Sequence, residues 1–200
     1  MTIVAAQSVS QFFNEVVSDS IRIQGVQATE GATRYLVALL ADYAHPHGRA
    51  GEALDRPLTL LFDEAIRESD QGERFERLRT LGDGVLYGCG FFADHFESRG
   101  VDAKYLQGLG TRAYGAASGM LRHKNDRASP DLFEELAEKF GEFVGVLADV
   151  ADSTVAMSTD SSRGLLKAYE RWLKTGSDRL AGALASRGVL PTRGLRGGVH

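Results

Sequence analysis

From Thr80 to Gly119 the chain reads TLGDGVLYGCGFFADHFESRGVDAKYLQGLGTRAYGAASG, nine glycines in forty residues whose apolar spacing is otherwise helical. A glycine inside a helix costs about 0.5–1 kcal/mol relative to alanine. Such density implies a compensating close approach, either of a second helix or of a ligand. The stretch divides into two helices, about 74–98 and 102–124, that meet at Arg99-Gly100-Val101. Gly100 suits a C-cap and Asp102 an N-cap, so the pair reads as a helical hairpin.

The rest of the chain repeats the helical pattern on both sides. Ser8 is placed to cap a helix carrying Val9, Phe12, Phe13, Val16 and Val17, and a short extended piece, Ile21 to Val26, is expected after it. From Thr29 the residues Tyr35, Leu36, Leu39, Leu40 and Tyr43 form a second stripe that Pro46 ends. His47 to Arg56 reads as loop. Pro57 fits a first helical position ahead of Leu58, Leu61, Phe62 and Ala65, and the charged run Arg67 to Glu76 reads as a solvated turn.

Beyond the hairpin, Ser129-Pro130-Asp131 starts a helix sustained by Leu132, Phe133, Leu136, Phe140, Phe143, Val144, Leu147 and Val150. A last helix, about 162–187, carries Leu165, Leu166, Tyr169, Trp172, Leu173, Leu180 and Leu184, and Gly188 and Pro191 end it. No repeat of 20 to 50 residues occurs. The expectation is an all-α, single-domain multi-helix bundle of six to seven helices over residues 1–191, with the Gly-rich hairpin at its centre and a flexible tail over 192–200.

Composition narrows the function. Two hundred residues suffice for a hydrophobic core, and 43% hydrophobic with 25% charged residues is ordinary for a globular chain. A net charge of −4 gives no general attraction to phosphate backbones, so nucleic acid is not an expected partner. The single Cys89 excludes an intramolecular disulfide and the multi-cysteine zinc sites. Met1 to Ser20 lacks a basic start and a continuous apolar run, and no segment approaches the ~20 apolar residues that span a bilayer. Cytoplasmic location, without membrane contact, is the expectation.

On the first Gly-rich helix Leu78, Leu81, Val85, Cys89, Phe92 and Phe96 share one face and Asp83, Tyr87, Gly90 and Asp94 the opposite one, so the helix reads as largely surrounded by protein. Asp83, Tyr87 and Asp94 are either a polar site facing a cavity or groups bonded to solvent and neighbouring helix ends. On the partner helix Gly108, Gly115 and Gly119 occupy an arc of about 40° flanking Arg112, a groove that admits a second helix or a flat ligand. Arg112 is within reach of Asp94 or Asp83 if the register allows, and a buried pair would explain those charges without chemistry.

Other motifs carry less. Gly82-Asp83-Gly84 and Gly108-Leu109-Gly110 complete no phosphate-binding pattern and follow no strand. His45-Pro46-His47 lacks further ligands nearby, no Glu-x-x-His element occurs, and neither H-E-x-x-H nor G-x-S-x-G appears. Cys89 on an apolar face reads as a buried thiol. No catalytic residue, metal ligand or cofactor is therefore expected. Arg193, Arg196 and Gly197-Gly198 echo Arg/Gly nucleic-acid segments only once. Tyr169, Arg171 and Trp172 on the last helix are the residue types that anchor interfaces, and equally the types found at a core edge.

The run Leu81-Gly82-Asp83, Leu86-Tyr87, Gly90-Phe91-Phe92, Asp102, Tyr105, Gly110 and Ala113-Tyr114, continued by Glu135-Leu136-Ala137, Phe140 and Tyr169-Glu170-Arg171-Trp172-Leu173, resembles an uncharacterised bacterial family of helical proteins of about 200 residues. The likeness spans about Tyr35 to Pro191. It implies a single bacterial cytoplasmic domain and brings no activity, cofactor or catalytic residue.

Two functional expectations follow. The first is a non-enzymatic interaction or regulatory protein, a homodimer or an adaptor for another protein. The second is a sensor or enzyme holding a small-molecule ligand between the Gly-rich helices, with Asp83, Tyr87, Asp94 and Arg112 as its polar contacts.

Overall fold

The computed structural model describes residues 8–44, 57–98, 100–123 and 130–192, and these residues form ten α-helices and no strand. In order they are α1 (Val9–Gln24), α2 (Glu30–Ala44), α3 (Leu58–Arg67), α4 (Gln71–Phe91), α5 (Ala93–Ser98), α6 (Ala103–His123), α7 (Pro130–Glu138), α8 (Phe140–Ala156), α9 (Ser162–Thr175) and α10 (Asp178–Ser186). The all-α expectation holds. Helices outnumber the six or seven expected because three long ones are each interrupted.

Each interruption has a local signature. Phe92 leaves the helical region at φ −127°, ψ 30° and separates α4 from α5. Lys139 alone separates α7 from α8, while its N–H still reaches the Glu135 carbonyl at 2.9 Å and its own carbonyl accepts from Phe143 at 3.0 Å. Gly176, at φ 67°, closes α9 by donating to the Trp172 carbonyl, and Ser177 opens α10 by accepting from the Leu180 N–H. A left-handed residue followed by a serine is a stop and a start in succession.

Local chemistry explains most of the remaining boundaries. Ser8 and Gln11 form a reciprocal capping box on α1. That helix takes in Ile21 to Gln24, which were expected to be extended, and ends only where Gly25 turns left-handed at φ 66°. The charged run is mostly helix as well. Only Glu68, Ser69 and Asp70 lie between α3 and α4, and the Asp70 carboxylate caps α4 through the Glu73 N–H at 2.8 Å. Pro57 stands one residue earlier than expected, at the N-cap of α3. Gly100 and Asp102 take their expected cap positions, the latter accepting from the Tyr105 N–H at 2.8 Å. The expected loop His47–Arg56 and the tail from Arg193 lie outside the described residues.

Contacts group the chain into two compact units, Met1–Ala148 and Asp149–His200, divided within α8. In the first unit α4 packs along α6, and α6 also packs on α7. Leu36, Leu40, Leu78, Leu86, Tyr114, Leu136, Phe140, Phe143 and Leu147 are fully buried there. The second half of α4 is covered nearly all round, as its two-sided pattern predicts.

Three glycines make close approach possible, and they are not the three expected. A Cβ on Gly82 would lie 2.5 Å from the Tyr114 ring, one on Gly90 2.4 Å from Leu147 Cβ, and one on Gly110 2.2 Å from Phe140. The arc of Gly108, Gly115 and Gly119 is no packing groove. Among the described residues a Cβ on Gly115 or Gly119 meets nothing within 4 Å, and one on Gly108 meets the Arg112 side chain alone, at 3.8 Å. Helical spacing locates a small-residue stripe, but the direction of the neighbour decides which stripe is used.

In the second unit, Val155, Ala168, Trp172, Leu180 and Leu184 form the core. Gly164 is indispensable to it, since a Cβ there would lie 1.8 Å from the Ser158 carbonyl oxygen.

Candidate functional site

The polar centre of the first unit is built on Asp83, in the middle of α4. Tyr35 of α2 donates its hydroxyl to Asp83 Oδ1 at 2.6 Å, and Tyr114 of α6 donates to the same oxygen at 2.7 Å. Three helices are thereby tied to one carboxylate oxygen. The tyrosines arrive there because both rings sit on apolar faces, and a buried phenol needs an acceptor for its hydroxyl. Tyr114 is fully buried, and its ring lies 6.5 Å from Tyr35, 6.0 Å from Phe133 and 5.9 Å from Phe140. Phe133 in turn meets Phe75 at 5.3 Å.

Electrostatics at this centre are dominated by burial. Desolvation raises the Asp83 carboxyl to about 6 against the opposing pull of the two hydroxyls and of Arg79. Burial and the neighbouring carboxylate push both phenols upward, so Tyr35 and Tyr114 remain protonated donors. Arg79 lies one turn before Asp83 and pairs with Glu76 at 3.0 Å rather than with Asp83. Its Nε is buried without a hydrogen-bond partner.

Further along the two helices, one turn past Asp83 on α4 and two past Tyr35 on α2, the ring of Tyr43 lies 3.8 Å from that of Tyr87. Tyr87 also stacks on Phe91 at 4.8 Å and meets Phe92 edge-on at 5.5 Å. Burial and the Asp83 charge raise the Tyr43 phenol as well.

Of the four polar residues singled out from the sequence, Asp83 and Tyr87 lie a turn apart on α4, beside this seam. Arg112 does not join them. Its side chain is exposed, and its Nε donates to the Gly108 carbonyl of its own helix at 3.1 Å. The side chain of Asp94 lies outside the described residues, as do His45 and His47. Of the residues that complete the centre, Tyr35 reads in sequence as part of the apolar stripe of α2, while Tyr114 figures only in the motifs of the family resemblance. The signal that points to them is that a phenol on an apolar stripe requires a buried acceptor.

A second polar junction lies at the start of α2. Glu135 of α7, 8% exposed, accepts from the Thr29 N–H at 3.0 Å, the Thr29 hydroxyl at 2.5 Å and the Lys139 ammonium at 3.1 Å. Lys139 also donates to the Gln27 carbonyl. Burial pushes the Glu135 carboxyl up, but the Thr29 and Lys139 donors outweigh it and leave it below its ordinary range. This junction fixes α2 against α7.

In the second unit Trp172 is 7% exposed and belongs to the core, with the Tyr169 ring 5.9 Å away. Arg171 pairs with the buried Asp152, and Arg179 pairs with Asp149 at 2.8 Å. The outward face of α9 is formed instead by Arg163, Leu166, Lys167, Glu170 and Leu173, with Leu166 58% and Leu173 44% exposed.

Among the described residues no three His, Cys, Asp or Glu side chains are grouped to hold a metal ion, and no helix is long and apolar enough to cross a membrane. Cys89 is buried, and burial pushes its thiol up to about 11, away from nucleophilic chemistry at neutral pH. Among known proteins no family model matches this chain, and neither a curated protein nor a solved structure matches it.

Proposed function

We propose that this protein works by self-association through the outward face of α9. The observation that carries the reading is the exposure of Leu166 and Leu173, seven residues apart and so on one side of the helix, beside the cations Arg163 and Lys167. Neither cation has an ion-pair partner among the described residues, whereas Arg171, Arg179 and Arg187 are paired with Asp152, Asp149 and Asp160. Two leucines set among Arg163, Lys167 and Glu170, with cations in excess, suit a predominantly acidic surface with an apolar centre.

A second copy supplies the acid. Residues 1–148 carry 22 Asp and Glu against 15 Lys and Arg, while residues 149–200 carry five against eight. Opposite charge on the two parts favours contact between copies at low ionic strength.

Light scattering on the purified protein, over a range of concentrations and at low and high salt, tests this. Wild type is expected above monomer mass at low salt, with association weakening as salt rises. Leu166→Asp/Leu173→Asp is expected to be monomeric, with unchanged helix content. A wild-type monomer under every condition, or an oligomer that the double variant leaves intact, overturns the reading.

A further inference from the structure

We infer that the α1–α2 hairpin is a pH-sensitive element, parting from the rest of its unit by local opening more often when Asp83 is ionised. This device is separate from the α9 face and does not depend on self-association.

Connectivity makes the hairpin separable. Among the described residues α1 packs chiefly on α2 and α2 on α7, while α4 packs along α6 and α6 on α7. The polar and aromatic links from the hairpin to the other helices form a single seam. Gln24 donates to the Gly145 carbonyl at 2.9 Å, Thr29 bonds Glu135, Tyr35 meets Asp83 and Phe133, and the Tyr43 ring lies on Tyr87. Helices of 16 and 15 residues are marginal in water without tertiary packing, so a parted hairpin exposes its amides to solvent exchange.

Parting changes the surroundings of Asp83. The titratable groups that face it are Tyr35 and Tyr43 from α2, Tyr114 from α6, and Arg79, Glu76 and Tyr87 from its own helix. On α3, which also packs on α4, the charged residues are Asp63, Glu64 and Arg67, with Arg67 bonded to Asp63 at 3.0 Å. Glu97 of α5, beyond the far end of α4, is exposed. Burial keeps the phenols of Tyr35, Tyr43 and Tyr114 protonated, and Arg79 stays paired with Glu76. When α2 leaves, Asp83 loses the cover of two tyrosines and regains water, which favours its charged form.

The direction of the response follows by linkage. In the closed form desolvation outweighs the two hydroxyls and the carboxyl titrates at about 6, against 3.8 when hydrated. The opening constant therefore rises with pH up to about 6 and then levels off. Full exposure would set a ceiling on the order of a hundredfold, and the cover that Tyr114 and α6 retain lowers the expected rise to roughly tenfold. At the start of α2 the Glu135 carboxyl is held below its ordinary range, so that junction stays ionised and constant while Asp83 titrates.

Amide hydrogen exchange of the full chain, read peptide by peptide by mass spectrometry and corrected for the chemical exchange rate at each pH, tests the inference. In wild type the α1 and α2 peptides should open more readily than those of α6, with an opening constant that rises roughly tenfold from about pH 4.5 to about pH 7.5. In Asp83→Asn that rise should vanish while α1 and α2 remain distinct from α6. Tyr43→Leu, which leaves the Asp83 bonds in place, should raise α1–α2 opening at every pH and keep a rise with pH. Equal opening of α1–α2 and α6 at every pH, a wild-type opening constant that does not change with pH, or an unaltered rise in Asp83→Asn of native helix content overturns the inference.

Discussion

Replacing Asp83 by asparagine should stabilise the protein at neutral pH and leave it nearly unchanged at pH 4. The carboxyl titrates at about 6 in the folded chain against 3.8 in the unfolded one. A tenfold change in proton affinity is worth about 1.4 kcal/mol, so ionised Asp83 costs the folded state about 3 kcal/mol. The sign follows from proton uptake. Between those two values the folded state binds the proton and the unfolded state does not, so stability from this group is present below about pH 4 and is lost as pH rises through about 6. Asparagine keeps an acceptor for Tyr35 and Tyr114 and cannot ionise. Urea unfolding followed by far-ultraviolet circular dichroism at a series of pH values measures the difference directly. The stability of Asp83→Asn minus that of wild type should grow from near zero at pH 4 towards about 3 kcal/mol above pH 7. A pH-independent difference, or a wild type more stable than the variant at pH 7, would refute the account of Asp83 as a carboxylate held against desolvation.

Glu135→Gln should cost about 1–3 kcal/mol at neutral pH, because it weakens the bonds to Thr29 and leaves Lys139 beside a neutral group. With its carboxyl held below the ordinary range, wild-type Glu135 contributes stability that is lost as pH falls through its folded pKa, so the variant's deficit should shrink in acid. Gly164→Ala forces a methyl group against the Ser158 carbonyl and should destabilise the second unit by about 3 kcal/mol or more. Fluorescence of Trp172, the single tryptophan, reports that loss, and an unchanged transition would refute the contact. Gly115→Ala and Gly119→Ala meet open space and should each stabilise the protein by about 0.5–1 kcal/mol in thermal melts. A loss in either variant would mean that the face is covered.

The candidate site was half legible before the fold was known. Asp83 and Tyr87 stand out because both are polar in the second half of α4, where the other residues are apolar or glycine. Arg112 stands out equally, yet its guanidinium folds back on its own helix. Reach on one helix does not determine which neighbour a long flexible side chain meets. Tyr35 escaped notice because, apart from the hydroxyl, a tyrosine in an apolar stripe reads like phenylalanine, and Tyr114 was assigned to no face of its helix. Trp172 misled in the opposite direction, since its residue type suits an interface and a core edge equally.

The amino-acid sequence alone determined that the chain is helical and where several of its helices begin and end, because local chemistry sets them. A 3.6-residue apolar period, serines and aspartates able to cap N-termini, and glycines able to turn left-handed at Gly100 and Gly188 all act within a few residues of one another. Tertiary structure decided everything that depends on direction between helices. It selected Gly82, Gly90 and Gly110 for close approach and left Gly115 and Gly119 open. It brought two phenols from α2 and α6 to one oxygen of α4, and it buried Trp172 while leaving Leu166 and Leu173 outside. Those outcomes depend on the rotation and offset of helices distant in the chain, which no local period encodes.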